Sequence, residues 1–130
     1  RDLNYPIEVI VCPIIREADG LAMSSRNTYL DPQQRKAATV LHRSLEQVKA
    51  SYEGGTRNAE ALRQLVRQTI NAEPLADLQY VSIAHPLKLK ELEEVNKDAL
   101  ISMAVFVGKT RLIDNYLLRD GVWYTGQKSD

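Results

Sequence analysis

The fold is decided by residues 99–118, which read ALISMAVFVGKTRLIDNYLL. Residues 99–107 are apolar apart from one serine, and they include the β-branched and aromatic side chains that favour strands. A Gly-Lys-Thr sequence at 108–110 interrupts this run, and residues 111–118 return to a strand-like composition. This order of strand, turn and strand predicts an antiparallel β-hairpin.

Two amphipathic helices precede the hairpin. The first begins at Asp31, which can cap it, with Pro32 in the first turn and Gln34 placed to complete a capping box. Its apolar face recurs at helical spacing through Ala37, Leu41, Leu45, Val48 and Tyr52. A glycine pair at 54–55 ends this helix, and a second helix spans about residues 58–73. Because the connection is short, the two helices are expected to form an antiparallel hairpin.

The segment between the helices and the hairpin predicts two further elements. Residues 78–84 alternate between two faces, with Val81 and Ile83 on one of them, so they predict a strand at the edge of the hairpin. Residues 87–95 carry apolar side chains that are compatible with a short helix. The fold class is therefore predicted to be α+β, a small antiparallel three-stranded sheet with a helical hairpin and a short helix packed on it.

Composition excludes several classes of function. The 17 basic and 17 acidic residues balance, which argues against a nucleic-acid partner or a membrane surface. The single cysteine, Cys12, lies in an apolar run and fits a buried thiol in a reducing compartment.

His42 and His85 have no partner at metal-ligand spacing, so we predict no metal site and assign them surface or capping roles. Asp114 is expected to pair with Arg111 near the hairpin.

A polar loop, residues 17–27 with the sequence EADGLAMSSRN, precedes the first helix. Its hydroxyl groups and the guanidinium of Arg26 are suited to binding phosphate oxygens with direction as well as charge. The same residue types are also ordinary turn formers, so the pattern alone somewhat favours a solvated connector.

Residues 13–30, PIIREADGLAMSSRNTYL, resemble the stretch that opens the C-terminal half of pantothenate synthetases (pantoate–β-alanine ligases). The TRLIDN sequence at 110–115 resembles the closing strand of that family. The resemblance covers residues 3–118.

The resemblance also implies that the chain has three parts. Residues 1–16 would be the last strand and hinge of a missing N-terminal nucleotide-binding domain. A strand at 7–12 would therefore lack its usual partners, and we expect it to be frayed or to pair with another part of this chain. Residues 17–118 would be the C-terminal domain. Residues 119–130 would be a loose tail in which Trp123 packs locally. Alternatively, they would be a linker to a further domain, since some similar proteins are multifunctional fusions with a nucleotide kinase.

The resemblance also implies a reaction. ATP and pantoate would give pantoyl adenylate and pyrophosphate with Mg²⁺, and the amine of β-alanine would then displace AMP to give pantothenate for coenzyme A. The Mg²⁺ ligands and the pantoate site are expected in the missing domain. The full enzyme is expected to be a cytoplasmic homodimer. This chain alone is expected to be inactive. Its oligomeric state is left undecided between monomer and dimer.

Site residues follow from the resemblance position by position. Ser24 and Ser25 would donate to ATP phosphates, and Arg26 would stabilise the departing pyrophosphate as the catalytic cation. Ile15 and Met23 would line the adenine side through backbone contacts. Gly20 would act as a hinge for closure of the loop.

Two other interpretations stay open. The loop would serve equally in a non-catalytic module that binds nucleotides or anions. Alternatively, the apolar residues 7–12 and the edge of the hairpin would be the docking surfaces of an interaction domain.

Overall fold

The computed structural model of the chain describes residues 15–128. A 3-10 helix covers Ser25–Tyr29. The α-helices are α1 (Pro32–Ala37), α2 (Val40–Glu53) and α3 (Ala59–Asn71). The strands are β1 (Ile15–Arg16), β2 (Ala76–Ala84), β3 (Ala99–Val107), β4 (Thr110–Arg119), β5 (Val122–Tyr124) and β6 (Gln127–Lys128).

The predicted hairpin is confirmed and forms the centre of an antiparallel sheet in the order β2-β3-β4-β5. Its register runs without interruption from Ala99 opposite Leu118 to Val107 opposite Thr110. Gly108 turns the chain with a φ of +62°, which a residue without a Cβ adopts at little cost. The α+β class is as predicted, but the sheet has four strands rather than three because β5 pairs with the far side of β4.

The tail is ordered through β5 and is not a loose end. Asp120 and Gly121, both at positive φ, reverse the chain after β4. Trp123 then lies opposite Leu118 and packs edge-on against Tyr52, with ring centroids 5.6 Å apart. The contact with Tyr52 links the tail to helix α2, so the packing of Trp123 is long-range rather than local. Further on, β6 pairs in parallel with β1.

The two helices predicted from the sequence are present, although the first is divided. α1 ends at Ala37 and α2 begins at Val40, so two residues interrupt the predicted helix. The capping box forms as expected, because Asp31 accepts from the backbone N–H of Gln34 and the Gln34 side chain accepts in return. α2 and α3 pack together against one face of the sheet and enclose the core, whose largest fully buried side chains are Tyr116, Leu41, Leu45, Leu62, Ile70, Ile83, Ile101, Met103 and Leu118.

The short helix predicted at 87–95 is wrong. The imidazole Nδ1 of His85 accepts from the N–H groups of Leu87 and Lys88, at 3.1 and 3.2 Å, which fixes a turn where a helix would begin. Leu89 then takes a φ of +58°, which lies outside right-handed helical space. The segment stays irregular and is held by backbone bonds, including one from Val95 N–H to the carbonyl of Arg57. The strand predicted at 7–12 lies outside the described residues.

Candidate functional site

The loop of residues 17–27 folds back on itself in a tight reversal. The N–H of Met23 donates to the carbonyl of Ile15 at 2.7 Å, and the N–H of Glu17 donates to the carbonyl of Leu21 at 2.9 Å. Ser24 caps the following 3-10 helix, since its Oγ accepts from the N–H of Arg26 at 3.1 Å. The Ser24 hydroxyl proton is not used in that bond, so the hydroxyl can still donate to a ligand.

The first anchor of this loop is a buried ion pair between Arg16 and Asp114, each only 3% exposed. Arg16 Nη1 and Nη2 donate to the two carboxylate oxygens of Asp114 at 2.7 and 2.9 Å. The same guanidinium donates to the carbonyl oxygens of Gly20 at 3.0 Å and of Thr125 at 2.5 Å. One side chain therefore ties the loop to β4 and to the tail.

This ion pair corrects the predicted pairing of Asp114 with Arg111. Arg111 Nε instead donates to Gln79 Oε1 at 2.6 Å. The signal that sequence reasoning missed is the position of Asp114, which alternates with Leu112 and Tyr116 on the buried side of β4. A carboxylate on that face needs a cationic partner, because an unpaired buried charge is costly.

The second anchor joins the loop to helix α1. Arg35 donates to Asp19 Oδ2 and to Glu17 Oε1, both at 2.8 Å. The hydrogen bond from Arg35 holds the pKa of Asp19 below its ordinary value, and the same contact raises the pKa of Arg35. Both partners are therefore charged at neutral pH.

Asn27 closes the loop from within. Its Nδ2 donates to the carbonyl of Ala22 at 3.1 Å and to Glu17 Oε2 at 3.3 Å. Its Oδ1 is buried and has no partner among the described residues. Asn27 thus joins the two ends of the loop. Its residue type alone suggested only a turn with its sequence neighbours.

His42 and Tyr116 support the loop from the core. The Tyr116 hydroxyl donates to Glu46 and lies 3.2 Å from His42 Nδ1. Burial, with the hydrogen bond to Glu46, raises the pKa of Tyr116 above its ordinary value. Gly20 packs so closely on the His42 ring that a methyl group there would overlap it. The predicted surface role of His42 is therefore wrong.

A cavity of about 380 Å³ separates the loop from β4. Among the described residues, it is lined by Ile15, Leu21, Ala22, Met23, Ser24, Arg26, Asn27, Leu41, Arg111, Leu112, Ile113, Asp114 and Asn115. Four of the five predicted site residues, Ile15, Met23, Ser24 and Arg26, therefore meet at one cavity, whereas Ser25 is exposed nearby in the 3-10 helix. Ile15 and Met23 are 45% and 47% exposed, so their side chains are accessible to a ligand.

The geometry restricts how these residues can bind. The backbone N–H of Met23 is already donated to Ile15, so a base contact there must use side chains or other backbone atoms. Arg26 is exposed, and its Nη1 donates to the carbonyl of Arg111 at 3.2 Å, which orients the guanidinium while leaving further N–H groups available. The cavity can thus hold an apolar group beside Ile15 and Met23 and an anion beside Ser24 and Arg26.

The described residues do not fit a Mg²⁺ site. Within residues 15–128, no group of three or more His, Cys, Asp or Glu side chains is arranged to hold a metal ion. Asp114, which lines the cavity, already has both carboxylate oxygens bonded to Arg16. We therefore assign no step to a metal held by these residues. None of the helices described here is long and apolar enough to cross a membrane.

Comparison with known proteins gives consistent results. The family model described as pantoate-beta-alanine ligase matches residues 1–117. The chain is 58% identical over 117 residues to a pantothenate synthetase of Roseiflexus castenholzii, a match that covers 90% of this chain and 42% of the relative. It is 55% identical over 117 residues to that of Pelotomaculum thermopropionicum, with the same coverage of both chains. The chain thus spans about two-fifths of the length of the curated relatives it matches.

Solved structures show the same relationship. Pantothenate synthetase from Thermus thermophilus superposes with a TM-score of 0.73 at 37% identity, covering 78% of this chain and 37% of that one. A pantoate-beta-alanine ligase from Francisella tularensis, complexed with beta-gamma ATP and beta-alanine, gives a TM-score of 0.50 at 32% identity. That match covers 82% of this chain and 31% of the other. From the match to nine-tenths of its length, the chain belongs to the pantoate–β-alanine ligase family.

Proposed function

We propose that this chain supplies the C-terminal part of an ATP-dependent ligase that condenses pantoate with β-alanine through a pantoyl-adenylate intermediate. The observation that carries the proposal is the cavity between the loop and β4, where Ser24 and Arg26 lie beside Ile15 and Met23. Hydrogen-bond donors thus lie next to an apolar surface, which supports a proposed site for phosphate and a base. The family match, and the Francisella relative complexed with beta-gamma ATP and beta-alanine, support the choice of ATP.

Each residue has a role in this proposal. Ser24 and Ser25 donate to the phosphate oxygens of ATP through hydroxyl or backbone groups. Arg26 stabilises the charge that builds on pyrophosphate as it departs, which a fixed cation achieves without reorganising at the moment of reaction. Ile15 and Met23 contact the adenine side.

The other binding sites that the reaction needs are proposed to lie outside this chain. Pantoate and Mg²⁺ would be bound mainly by the N-terminal part of the enzyme. We propose that the full enzyme works in the cytoplasm as a homodimer. The chain by itself would form no pantothenate, because the reaction needs both parts closed around one ATP.

The binding step is tested by NMR titration of the chain with ATP and Mg²⁺. We expect amide shifts at residues 15–27 that the double variant Ser24→Ala/Arg26→Ala abolishes. An exposed arginine on α2, Arg43, provides the control Arg43→Ala, which should retain the shifts. Shifts spread over the surface and insensitive to the double variant would contradict a phosphate site in the loop.

The catalytic step is tested in a chimera in which residues 1–117 replace the matching segment of the Roseiflexus castenholzii relative. We expect the chimera to form pantothenate and the same chain alone to form none. A chimera that binds ATP at the loop but gives no product would favour the second candidate, a nucleotide-binding module without catalysis.

A further inference from the structure

We propose that the turn of the β3–β4 hairpin forms a second anion subsite, which receives the β- and γ-phosphates of ATP and the pyrophosphate they become. The inference rests on the proposed function and extends its site. It starts from a second, wider cavity of about 850 Å³, lined among the described residues by Arg26, Tyr29, Gln34, Gly108, Lys109, Thr110 and Arg111. Three of these residues are cationic and none is acidic.

The two cavities are neighbours that share part of their walls. Arg26 and Arg111 line both of them, and Arg26 Nη1 bonds to the backbone carbonyl of Arg111 between them. A nucleotide whose base lies beside Met23 and whose α-phosphate lies beside Ser24 would direct its outer phosphates past Arg26 toward the hairpin turn.

The hairpin turn offers a cation and an amide donor. Lys109 is exposed, and none of the ion pairs within residues 15–128 includes it. Gly108 packs so closely on Gln34 Nε2 that a side chain at this position would overlap it. The Gln34 Oε1 is used by the backbone N–H of Asp31, so the amide nitrogen is the end that faces the turn.

Polyphosphate is the ligand class that best matches this donor set. Arg111 Nε is held by Gln79 Oε1, which fixes the plane of the guanidinium without neutralising it. Together with Lys109 and Arg26 it gives three positive charges, and the hydroxyl groups of Tyr29 and Thr110 add neutral donors. Doubly charged phosphate groups with several acceptor oxygens use charge-assisted bonds of this kind, whereas an apolar ligand would leave them unpaired.

The chemical consequence concerns the leaving group. As a pantoate carboxylate oxygen bonds to the α-phosphorus, the bond from that phosphorus to the bridging oxygen breaks, and its electron pair stays on pyrophosphate. Negative charge therefore grows at the β-phosphate, on the side of Arg26 that faces Lys109. The subsite would stabilise that charge in addition to binding ATP.

The test is an NMR titration of the chain with inorganic pyrophosphate, with AMP in a parallel titration. We expect shifts at residues 108–111 with pyrophosphate, and a Lys109→Gln variant that binds it about five-fold more weakly or worse. AMP, which lacks the outer phosphates, should bind both proteins equally. The matched control is Lys88→Gln, which removes an exposed lysine from the opposite end of the sheet. Unchanged resonances elsewhere would show that the Lys109→Gln variant is folded.

The outcomes separate this inference from the proposed function. Equal pyrophosphate affinity in the Lys109→Gln variant and the parent overturns the subsite, as does an equal loss in Lys88→Gln or the absence of shifts up to about 10 mM pyrophosphate. If ATP still shifts residues 15–27 in such a case, the proposed function stands. If pyrophosphate binding depends on Lys109 but the chimera with the Roseiflexus relative forms no pantothenate, the anion subsite stands and the proposed function fails.

Discussion

Gly20 lies against the imidazole ring of His42, and its φ of +93° is in the left-handed region. We predict that Gly20→Ala lowers the free energy of unfolding by about 3 kcal/mol or more, because backbone strain and overlap with the ring act together. The matched control is Gly55→Ala, where φ is +114° but nothing lies within 4 Å of the added methyl group. That variant should lose only about 1–2 kcal/mol. Urea denaturation of the two variants measures the difference, and equal losses would contradict the contact with His42.

Arg26 is the residue on which the proposed chemistry depends most. In the chimera with the Roseiflexus relative, we predict that Arg26→Ala lowers kcat about 100-fold, the usual scale for losing a group that stabilises developing charge. Arg26→Lys should recover only part of the rate, because an ammonium lacks the planar fork of the guanidinium.

Pyrophosphate release under saturating ATP measures this effect. Arg43→Ala, on the exposed face of α2, serves as the control and should leave kcat unchanged. A rate for Arg26→Ala within two-fold of the parent would rule out the catalytic role, since about 100-fold is expected for such a group.

At the scale of elements, the ion pair between Arg16 and Asp114 joins the loop to β4. We predict that Asp114→Asn lowers the free energy of unfolding by about 3–5 kcal/mol, because it leaves the Arg16 charge buried without its counter-charge. Asp77→Asn, on the exposed edge of β2, should change stability by no more than about 0.5 kcal/mol. Chemical denaturation of the two variants measures the difference in their free energies of unfolding. Similarly small losses in both would show that the ion pair between Arg16 and Asp114 contributes little to the stability of the fold.

The contact of Arg35 with Asp19 joins the loop to α1 and makes the loop sensitive to acid. Since the folded pKa of Asp19 lies below its ordinary value of 3.8, the pair stabilises the fold fully above that value. The contribution is lost as the pH falls below 3.8 and through the folded pKa.

A carbon-13 NMR titration of the carboxyl groups measures this shift directly. In Arg35→Gln we expect the pKa of Asp19 to rise toward 3.8. An unchanged pKa of Asp19 in that variant would mean that Arg35 is not the cause of the shift.

The elements that sequence reasoning predicted correctly are those whose cause is local. The hairpin follows from the composition of β3 and from a turn that needs Gly108, and the first helix starts where Asp31 and Gln34 cap it. The helix expected at 87–95 does not form, because the His85 side chain accepts hydrogen bonds from two backbone N–H groups. The spacing of apolar residues, on which the prediction relied, does not reveal such a side-chain contact. β5 was missed because three residues give too short a pattern.

The same distinction applies to the candidate site. Ser24 and Arg26 were predicted as site residues because a motif names them, and both line one cavity with Met23. Arg16 was not found, since its role depends on Asp114, 98 positions away in the chain. Lys109 was considered only as part of the turn between the two strands. Its proximity to Arg26 requires the folded hairpin.

At the scale of the whole molecule, the tail lies after residue 117, where the match to the family model ends. Trp123 packs against Tyr52 and Tyr116, while Thr125 accepts a bond from Arg16. We predict that Trp123→Ala lowers the free energy of unfolding by about 3 kcal/mol, the lower end for large aromatic side chains, because Trp123 is only partly buried.

Trp123→Phe is the matched comparison. It keeps an aromatic ring and removes an indole N–H that is buried without a partner among the described residues, so most of the stability should remain. Thermal unfolding followed by circular dichroism measures both variants. An alanine variant as stable as the parent would mean that the tail contributes nothing to the core.

The packing of Trp123 has an optical consequence. It is the only tryptophan in the sequence, and Tyr52 and Tyr116 lie edge-on to it with centroids 5.6 and 6.2 Å away. Light absorbed by Tyr52 or Tyr116 is therefore passed to a single indole at the junction of helix, sheet and tail. Detachment of the tail would reduce this energy transfer and shift the indole emission to longer wavelength, so the unlabelled protein carries its own fluorescent reporter of tail docking.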